Sequence, residues 1–218
     1  MVQGVIFDMD GLMFDTERLW DTLWEPTCRE MGVEMPADVD AFLASGRGLA
    51  GQALADHIRE YFPTVDPQKM LQTAWRLADE LFAKGVPCKP GLFELLDVLE
   101  ERGIPRIVAS SSPRSMILQN LSTTGAGRYF AQVVCGADVE HSKPAPDIFL
   151  LAASRLGADI RRCLVLEDSL NGLRAARASG AVSVMVPDLR PYGPEVAPYV
   201  DYLKQDLSQV IDLLDRVE

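Results

Sequence analysis

Val5-Ile6-Phe7-Asp8-Met9-Asp10-Gly11 opens on three apolar residues and breaks into carboxylates at its end. An apolar run this short, stopped by turn-forming residues, reads as a strand buried on both faces, as in a parallel sheet. The pattern recurs along the chain. Ile107-Val108-Ala109 ends at Ser110, Cys163-Leu164-Val165-Leu166 ends at Glu167-Asp168, and Val182-Ser183-Val184-Met185-Val186 ends at Pro187. Residues 130–136 are expected to add a further strand. Helical patterns lie between these runs. Leu92, Leu95, Leu96 and Leu99 recur at helical spacing, with Pro90 at the entrance and Gly103 at the exit, the usual punctuation of a helix. Residues 146–156 and 170–179 read the same way. Strands alternating with helices predict an α/β fold built on a doubly wound parallel sheet.

One interval breaks the alternation. Residues 16–86 carry helix signals and no strand pattern. Met70, Ala74, Leu77 and Leu81 form one apolar stripe, and Leu54, Ile58 and Tyr61 suggest another. Ser45-Gly46-Arg47-Gly48 and Phe62-Pro63-Thr64 read as the loops between them. This interval is expected to be a helical domain of residues 16–86 inserted after the first strand, with residues 1–15 and 87–218 forming the α/β core. Both connections of such an insert start and end near the carboxyl edge of the sheet, where it can serve as a lid. Beyond about Pro187, Leu207, Ile211 and Leu214 suggest a closing amphipathic helix.

Composition narrows the partners. The chain has 218 residues, of which 48 % are apolar, enough to bury a core without covalent staples. Its net charge of −11 repels a phosphate backbone, so no nucleic-acid partner is expected. Arg161-Arg162 is the longest cationic stretch and reads as a solvated surface pair. Cys28, Cys88, Cys135 and Cys163 form no C-x-x-C pair and no zinc spacing, and read as small hydrophobes in a reducing compartment. The first residues lack a basic region followed by a long apolar one, and no apolar run reaches membrane-spanning length. The expectation is a cytoplasmic protein with no membrane partner, a monomer or small homo-oligomer.

Polar residues placed just after buried strands carry the chemistry. In open α/β sheets, ligands bind at the carboxyl ends of the strands. Three strands here deliver Asp8 and Asp10, Ser110, and Glu167 with Asp168 to that edge, and Lys143 stands before Pro144 at the entrance to a helix. Mg²⁺ prefers oxygen ligands and accepts carboxylate, carbonyl, water and phosphate together. Asp8, Glu167 and Asp168 could supply the protein's share. Lys143 would neutralise a phosphorylated substrate, and Ser110 could hold a phosphoryl oxygen. Asp8, ionised at neutral pH by its reference pKa of about 3.9, could attack phosphorus to form an aspartyl-phosphate. Asp10, two residues on, could protonate the leaving oxygen and then take a proton from water.

These segments resemble the haloacid dehalogenase superfamily. Asp8-Met9-Asp10-Gly11 followed by Asp15-Thr16-Glu17 is similar to its first motif, and Val108-Ala109-Ser110-Ser111-Ser112 to its second. Lys143-Pro144-Ala145-Pro146-Asp147-Ile148-Phe149 is similar to the third, and Leu166-Glu167-Asp168-Ser169-Leu170-Asn171-Gly172 to the fourth. The motifs stand in family order, with a helical insert where the family carries a cap. The subgroup most resembled holds sugar-phosphate phosphatases and β-phosphoglucomutases. The resemblance implies a Rossmann-like core, a nucleophile at Asp8 and a general acid/base at Asp10. It also implies catalytic roles for Ser110 and Lys143, and Mg²⁺ on Asp8, the Asp10 carbonyl and Asp168 with Glu167 in or near the first shell. The substrate implied is a small phosphorylated metabolite. Ser111 and Ser112 are candidate substrate contacts, either of which could take the place given to Ser110. Arg47 could bind an anionic group of the substrate or be a plain surface turn.

Alternative readings are weaker. Turn residues capping a helix would explain Asp8 and Asp10 alone but not the ordered set. An EF-hand loop counted from Asp8 needs Gly at its sixth position and Glu at its twelfth, where this chain has Met13 and Leu19. No G-x-x-x-x-G-K-[ST] stretch marks a P-loop. A phosphomutase shares every core motif, but the mutase pattern typically carries a histidine where this chain has Trp20, which reads as a packing residue or cap-wall contact. A catalytically idle, metal-binding interaction protein would be marked by loss of the nucleophile or the lysine, and both are present. His57 and His141 read as surface or packing residues rather than ligands.

Overall fold

The computed structural model describes residues 2–47, 49 and 51–216. The chain divides into two compact units, Met1–Asp15 with Val86–Glu218, and Thr16–Gly85. In chain order the elements are β1 Gly4–Phe7, α1 Thr16–Met31, α2 Val39–Gly46, α3 Gly51–Tyr61, α4 Pro67–Phe82, α5 Leu92–Glu101, β2 Arg106–Ser110, α6 Arg114–Thr124, β3 Val133–Cys135, α7 Asp147–Leu156, β4 Cys163–Glu167, α8 Leu170–Ser179, β5 Val182–Met185 and β6 Tyr202–Leu203, with short 3-10 turns between.

The first unit is the α/β architecture the alternation predicts. Its sheet runs β3-β2-β1-β4-β5-β6, and every pairing is parallel. β1 and β4 are buried at every residue, which is why they read as unbroken apolar runs rather than alternating ones. Ile6, Ile107, Val134 and Val165 meet Ile148, Phe149, Ala152 and Ala153 of α7 and Ala175 and Ala176 of α8 in one core. The alanines let both helices lie close to the sheet, so the strand ends are held in a well-packed frame. Strand order reverses between β1 and β4, the place where an open α/β sheet offers a crevice.

Two expectations for this unit are corrected. The strand expected over 130–136 is only Val133–Cys135, because a 3-10 turn at Ala126–Tyr129 occupies the approach. The closing segment is a 3-10 helix, Leu207–Leu213, not an amphipathic α-helix; it buries Leu207, Val210 and Leu213, a repeat of three that matches its tighter winding. Asp206 starts it by accepting hydrogen bonds from the Ser208 and Gln209 amides. β6, two residues long, was too short to carry a pattern.

β3 ends the sheet, and its outward backbone groups are occupied by side chains. The Val133 carbonyl accepts from Arg155 Nη1 at 2.8 Å, and the Cys135 amide donates to Asp138 Oδ2 at 3.1 Å. Arg114 and Arg155 both pair with that Asp138 carboxylate.

The second unit is helical. Trp24, Cys28, Phe42, Ile58, Phe62 and Met70 form its core, with Trp24 and Phe62 edge-on to Phe42. α4 buries Pro67, Met70, Ala74, Ala78 and Phe82. The expected stripe therefore turns after Ala74 onto Ala78 and Phe82, leaving Leu77 and Leu81 half-buried at its border, because a strict four-residue row from Met70 faces the core better than the leucines do. Ser45 and Gly46, expected in a loop, are the last residues of α2, and Gly48 lies outside the described residues. Among the described residues, no helix is long and apolar enough to cross a membrane.

Candidate active site

The ladder between β1 and β4 continues one residue past the strand: the Asp8 amide donates to the Leu166 carbonyl at 3.0 Å. This sets Asp8 beside Glu167, the last residue of β4. Lys143, from the segment before α7, reaches between them. Its Nζ lies 2.5 Å from Asp8 Oδ1, 2.7 Å from Glu167 Oε1 and 3.3 Å from the Ala109 carbonyl of β2. An ammonium has three protons to donate, and three neighbouring strands take them. The Phe149 ring lies 4.8 Å from the same nitrogen, a further favourable contact for a cation.

Glu167 is held from its other oxygen. Oε2 accepts from the Asp168 amide, the Ser169 amide and the Ser169 hydroxyl at 3.1, 3.0 and 2.9 Å. Ser169 Oγ in turn accepts from the Gly172 amide at 3.1 Å and so caps α8, a common helix start. Gly172 has to be glycine, since a Cβ there would stand 1.7 Å from Glu167 Oε1.

Asp8, Glu167 and Asp168 are all buried, and each offers an oxygen within 4.8 Å of the others. Three carboxylates thus face one ammonium. Burial pushes the Asp8 carboxyl well above its ordinary range; Lys143 opposes this, and the Glu167 and Asp10 carboxylates add to it. Burial alone would push the Lys143 ammonium down, but Asp8 and Glu167 overcome it and hold the lysine above its ordinary value. The donor chemistry fits a hard divalent cation, which takes carboxylate oxygens and would reverse the rise at Asp8. Gly11 preserves the space: it has φ +80°, and a Cβ there would lie 2.3 Å from Asp168 Oδ2.

A second cluster forms around Asp10. The turn after β1 closes with the Gly11 amide on the Phe14 carbonyl and the Met13 amide on the Met9 carbonyl, which presents Asp10 half-buried. Ser110 Oγ donates to Asp10 Oδ2 at 3.2 Å, and Ser112 Oγ donates to the same oxygen at 2.7 Å. The Ser112 amide donates to Ser110 Oγ at 3.0 Å. Ser111 is half-buried between them, with its carbonyl against Gly136, where a Cβ would lie 2.8 Å away.

Arg47 belongs to the helical unit. Its guanidinium pairs with Asp21 Oδ2 at 2.6 Å. Trp20 is edge-on to Trp75 and Phe82, with centroids 4.8 and 5.8 Å apart. His57 is buried, stacked on Phe42 with Nε2 3.0 Å from the Phe42 carbonyl. His141 is exposed and paired with Asp147, which raises its pKa.

The sequence reading named the carboxylates and the lysine, but it did not anticipate Ser169, Gly11, Gly172 or the Ala109 carbonyl. Ser169 was legible as a helix cap through its spacing to Gly172, though not as the residue that grips Glu167.

A family model described as haloacid dehalogenase-like hydrolase matches residues 5–186. The chain belongs to this family. Among the relatives of this haloacid dehalogenase-like hydrolase is a protein of Drosophila melanogaster named "Probable pseudouridine-5'-phosphatase", 35 % identical over 195 residues that cover 87 % of this chain and 83 % of the relative. Hexitol phosphatase B of Escherichia coli is 30 % identical over 188 residues, covering 85 % and 84 %. The fold is also that of CbbY from Rhodobacter sphaeroides, solved with xylulose-(1,5)bisphosphate, at TM-score 0.82 and 24 % identity over 96 % of both chains.

Proposed function

We propose that this hydrolase cleaves a small phosphate monoester, a sugar phosphate, through an aspartyl-phosphate on Asp8. The observation that carries the reading is the buried Asp8–Lys143–Glu167 cluster at the strand-order reversal, with Asp10 held two residues beyond the nucleophile. The names of the relatives, phosphatases of a pseudouridine phosphate and of hexitol phosphates, support the same substrate class.

In the first step an Asp8 oxygen attacks phosphorus and the bond from phosphorus to the substrate oxygen breaks, with Asp10 giving its proton to the leaving alkoxide. In the second step water attacks phosphorus, Asp10 takes back a proton, and the acyl-phosphate bond breaks to release phosphate. Lys143, held by two carboxylates, stays charged through both steps and faces the negative charge that the phosphoryl group carries. Ser110, at the end of β2, would turn its hydroxyl to a phosphoryl oxygen. Mg²⁺, held by Asp8, the Asp10 carbonyl, Asp168 and Glu167, would supply Lewis-acid neutralisation at the phosphoryl oxygens. The helical unit of residues 16–85 would act as the cap that selects the substrate, with Arg47 as its candidate contact for an anionic group. A cytoplasmic location and a freely diffusing phosphorylated metabolite fit this role.

The test is phosphate release from a panel of hexitol phosphates, hexose phosphates and pseudouridine 5'-phosphate, comparing wild type with Asp8→Asn. Release should depend on Mg²⁺, vanish with EDTA, and fall at least about 10⁴-fold in the variant, as expected for a lost nucleophile. Turnover that survives in Asp8→Asn would remove the covalent mechanism.

A further inference from the structure

α6 turns one polar side chain into the interior. It buries Met116, Ile117, Asn120 and Leu121, and Asn120 is wholly removed from water, at 0 % exposure. Its Nδ2 donates to Met9 Sδ at 3.9 Å, a thioether being a weak acceptor. Its Oδ1 is buried with no hydrogen-bond partner among the described residues. A buried acceptor left without a donor lowers stability. Leucine, with the same branched shape, would fill this face of α6 without that penalty. Packing alone therefore does not explain Asn120.

Its neighbour does. Met9 is the residue between Asp8 and Asp10, and it is fully buried. Its carbonyl closes the turn by accepting from the Met13 and Phe14 amides at 2.9 and 3.2 Å. A methionine side chain has three rotatable bonds and adapts to irregular space. A donor aimed at its sulfur selects one arrangement. We infer that Asn120 is a positioning residue: it fixes the Met9 side chain, and through it the backbone that carries Asp8 and Asp10. This rests on the phosphatase reading above and deepens it, adding a residue that touches no substrate. The fold gives up stability at Asn120 to hold the two aspartates in register.

The experiment is a double-mutant cycle on kcat. Wild type, Asn120→Leu, Met9→Leu and the double variant are assayed on the sugar phosphate of the panel above that wild type hydrolyses best, and each is unfolded in denaturant. Asn120→Leu should lower kcat about 10-fold, as a slightly misplaced reacting group does, while KM stays within about 2-fold and the unfolding midpoint is kept or raised. Met9→Leu, a swap that conserves volume, should lower kcat to a similar extent. The double variant should lose no more than the larger single loss, because both changes break one contact. Full kcat in Asn120→Leu would overturn the inference, whatever its midpoint. Losses that multiply in the double variant would overturn it too, since Asn120 would then act without Met9. So would full kcat in Met9→Leu, and that variant decides alone if Asn120→Leu does not fold. If wild type releases no phosphate from any member of the panel, the phosphatase reading itself falls, and the inference with it.

Discussion

The buried cluster of the sheet unit and the surface pairs on the helices of the other unit treat charge in opposite ways. In the sheet unit, Lys143, Asp8 and Glu167 are almost wholly removed from water, with side-chain exposures of 8 %, 10 % and 0 %. In the helical unit, Arg29–Glu25, Arg59–Asp56 and Arg76–Glu80 each lie on a single helix with about half or more of each side chain in solvent. Exposed pairs of this kind add little stability, because water and salt screen them. Buried charges are costly unless fully paired, and the sheet-edge cluster has more negative groups than positive ones. Stability alone would not assemble such a cluster. Its persistence at the strand-order reversal is a sign of chemistry, whereas these three pairs of the helical unit are a solvated face.

The comparison breaks most visibly at Lys143. Lys143→Met should cost about 3–5 kcal/mol of stability in EDTA, the range for a buried ion pair that loses one partner, read as a lowered denaturant midpoint. Asp8→Asn should leave the midpoint unchanged or raise it, since it removes one of the crowded carboxylates. Equal losses in both variants would mean that the cluster is an ordinary structural ion pair. A smaller effect is expected at Asp168. Asp168→Asn should raise the Mg²⁺ concentration for half-maximal activity by about 10-fold or more, measured by titrating Mg²⁺ into the activity assay, while activity at saturating Mg²⁺ recovers in part. The smallest effect belongs to the helical unit: Arg29→Gln should not move the unfolding midpoint at all. A clear shift there would show that its exposed pairs carry more than the sheet-edge contrast allows.

Much of this division is legible in the sequence. Val5-Ile6-Phe7-Asp8 announces a fully buried strand with a carboxylate at its end, because residues buried on both faces leave no polar alternation. The same reading gave β2, β4 and β5 within about a residue of their ends. The second half of the α4 stripe differs by one position, since leucine outweighs alanine on any hydropathy count, while the packed interior takes Ala78 and Phe82 in place of Leu77 and Leu81. The C-terminal segment was misread because spacings of three and four are both present in Leu207, Val210, Ile211, Leu213 and Leu214. Only the tighter winding decides between them.

At the site, residue types and order were readable, but distances were not. Ser110 and Ser112 are identical letters two positions apart, and nothing local says that both hydroxyls turn to the same Asp10 oxygen. Glu167 was readable as a metal-shell carboxylate, but not as the residue that grips Lys143 with one oxygen and three donors with the other. The site joins residues more than a hundred positions apart, such as Lys143 and Asp8, and only the assembled sheet brings them together.

The far side of the sheet carries a consequence of its own. A terminal strand normally displays an open row of amides and carbonyls that another polypeptide can continue. At β3 the Val133 carbonyl and the Cys135 amide are already engaged by Arg155 and Asp138, and Arg114 locks the same carboxylate from the other side. An approaching strand would have to dismantle an ionic clasp before forming its first rung. The molecule thus carries at this border a built-in resistance to being extended by another strand.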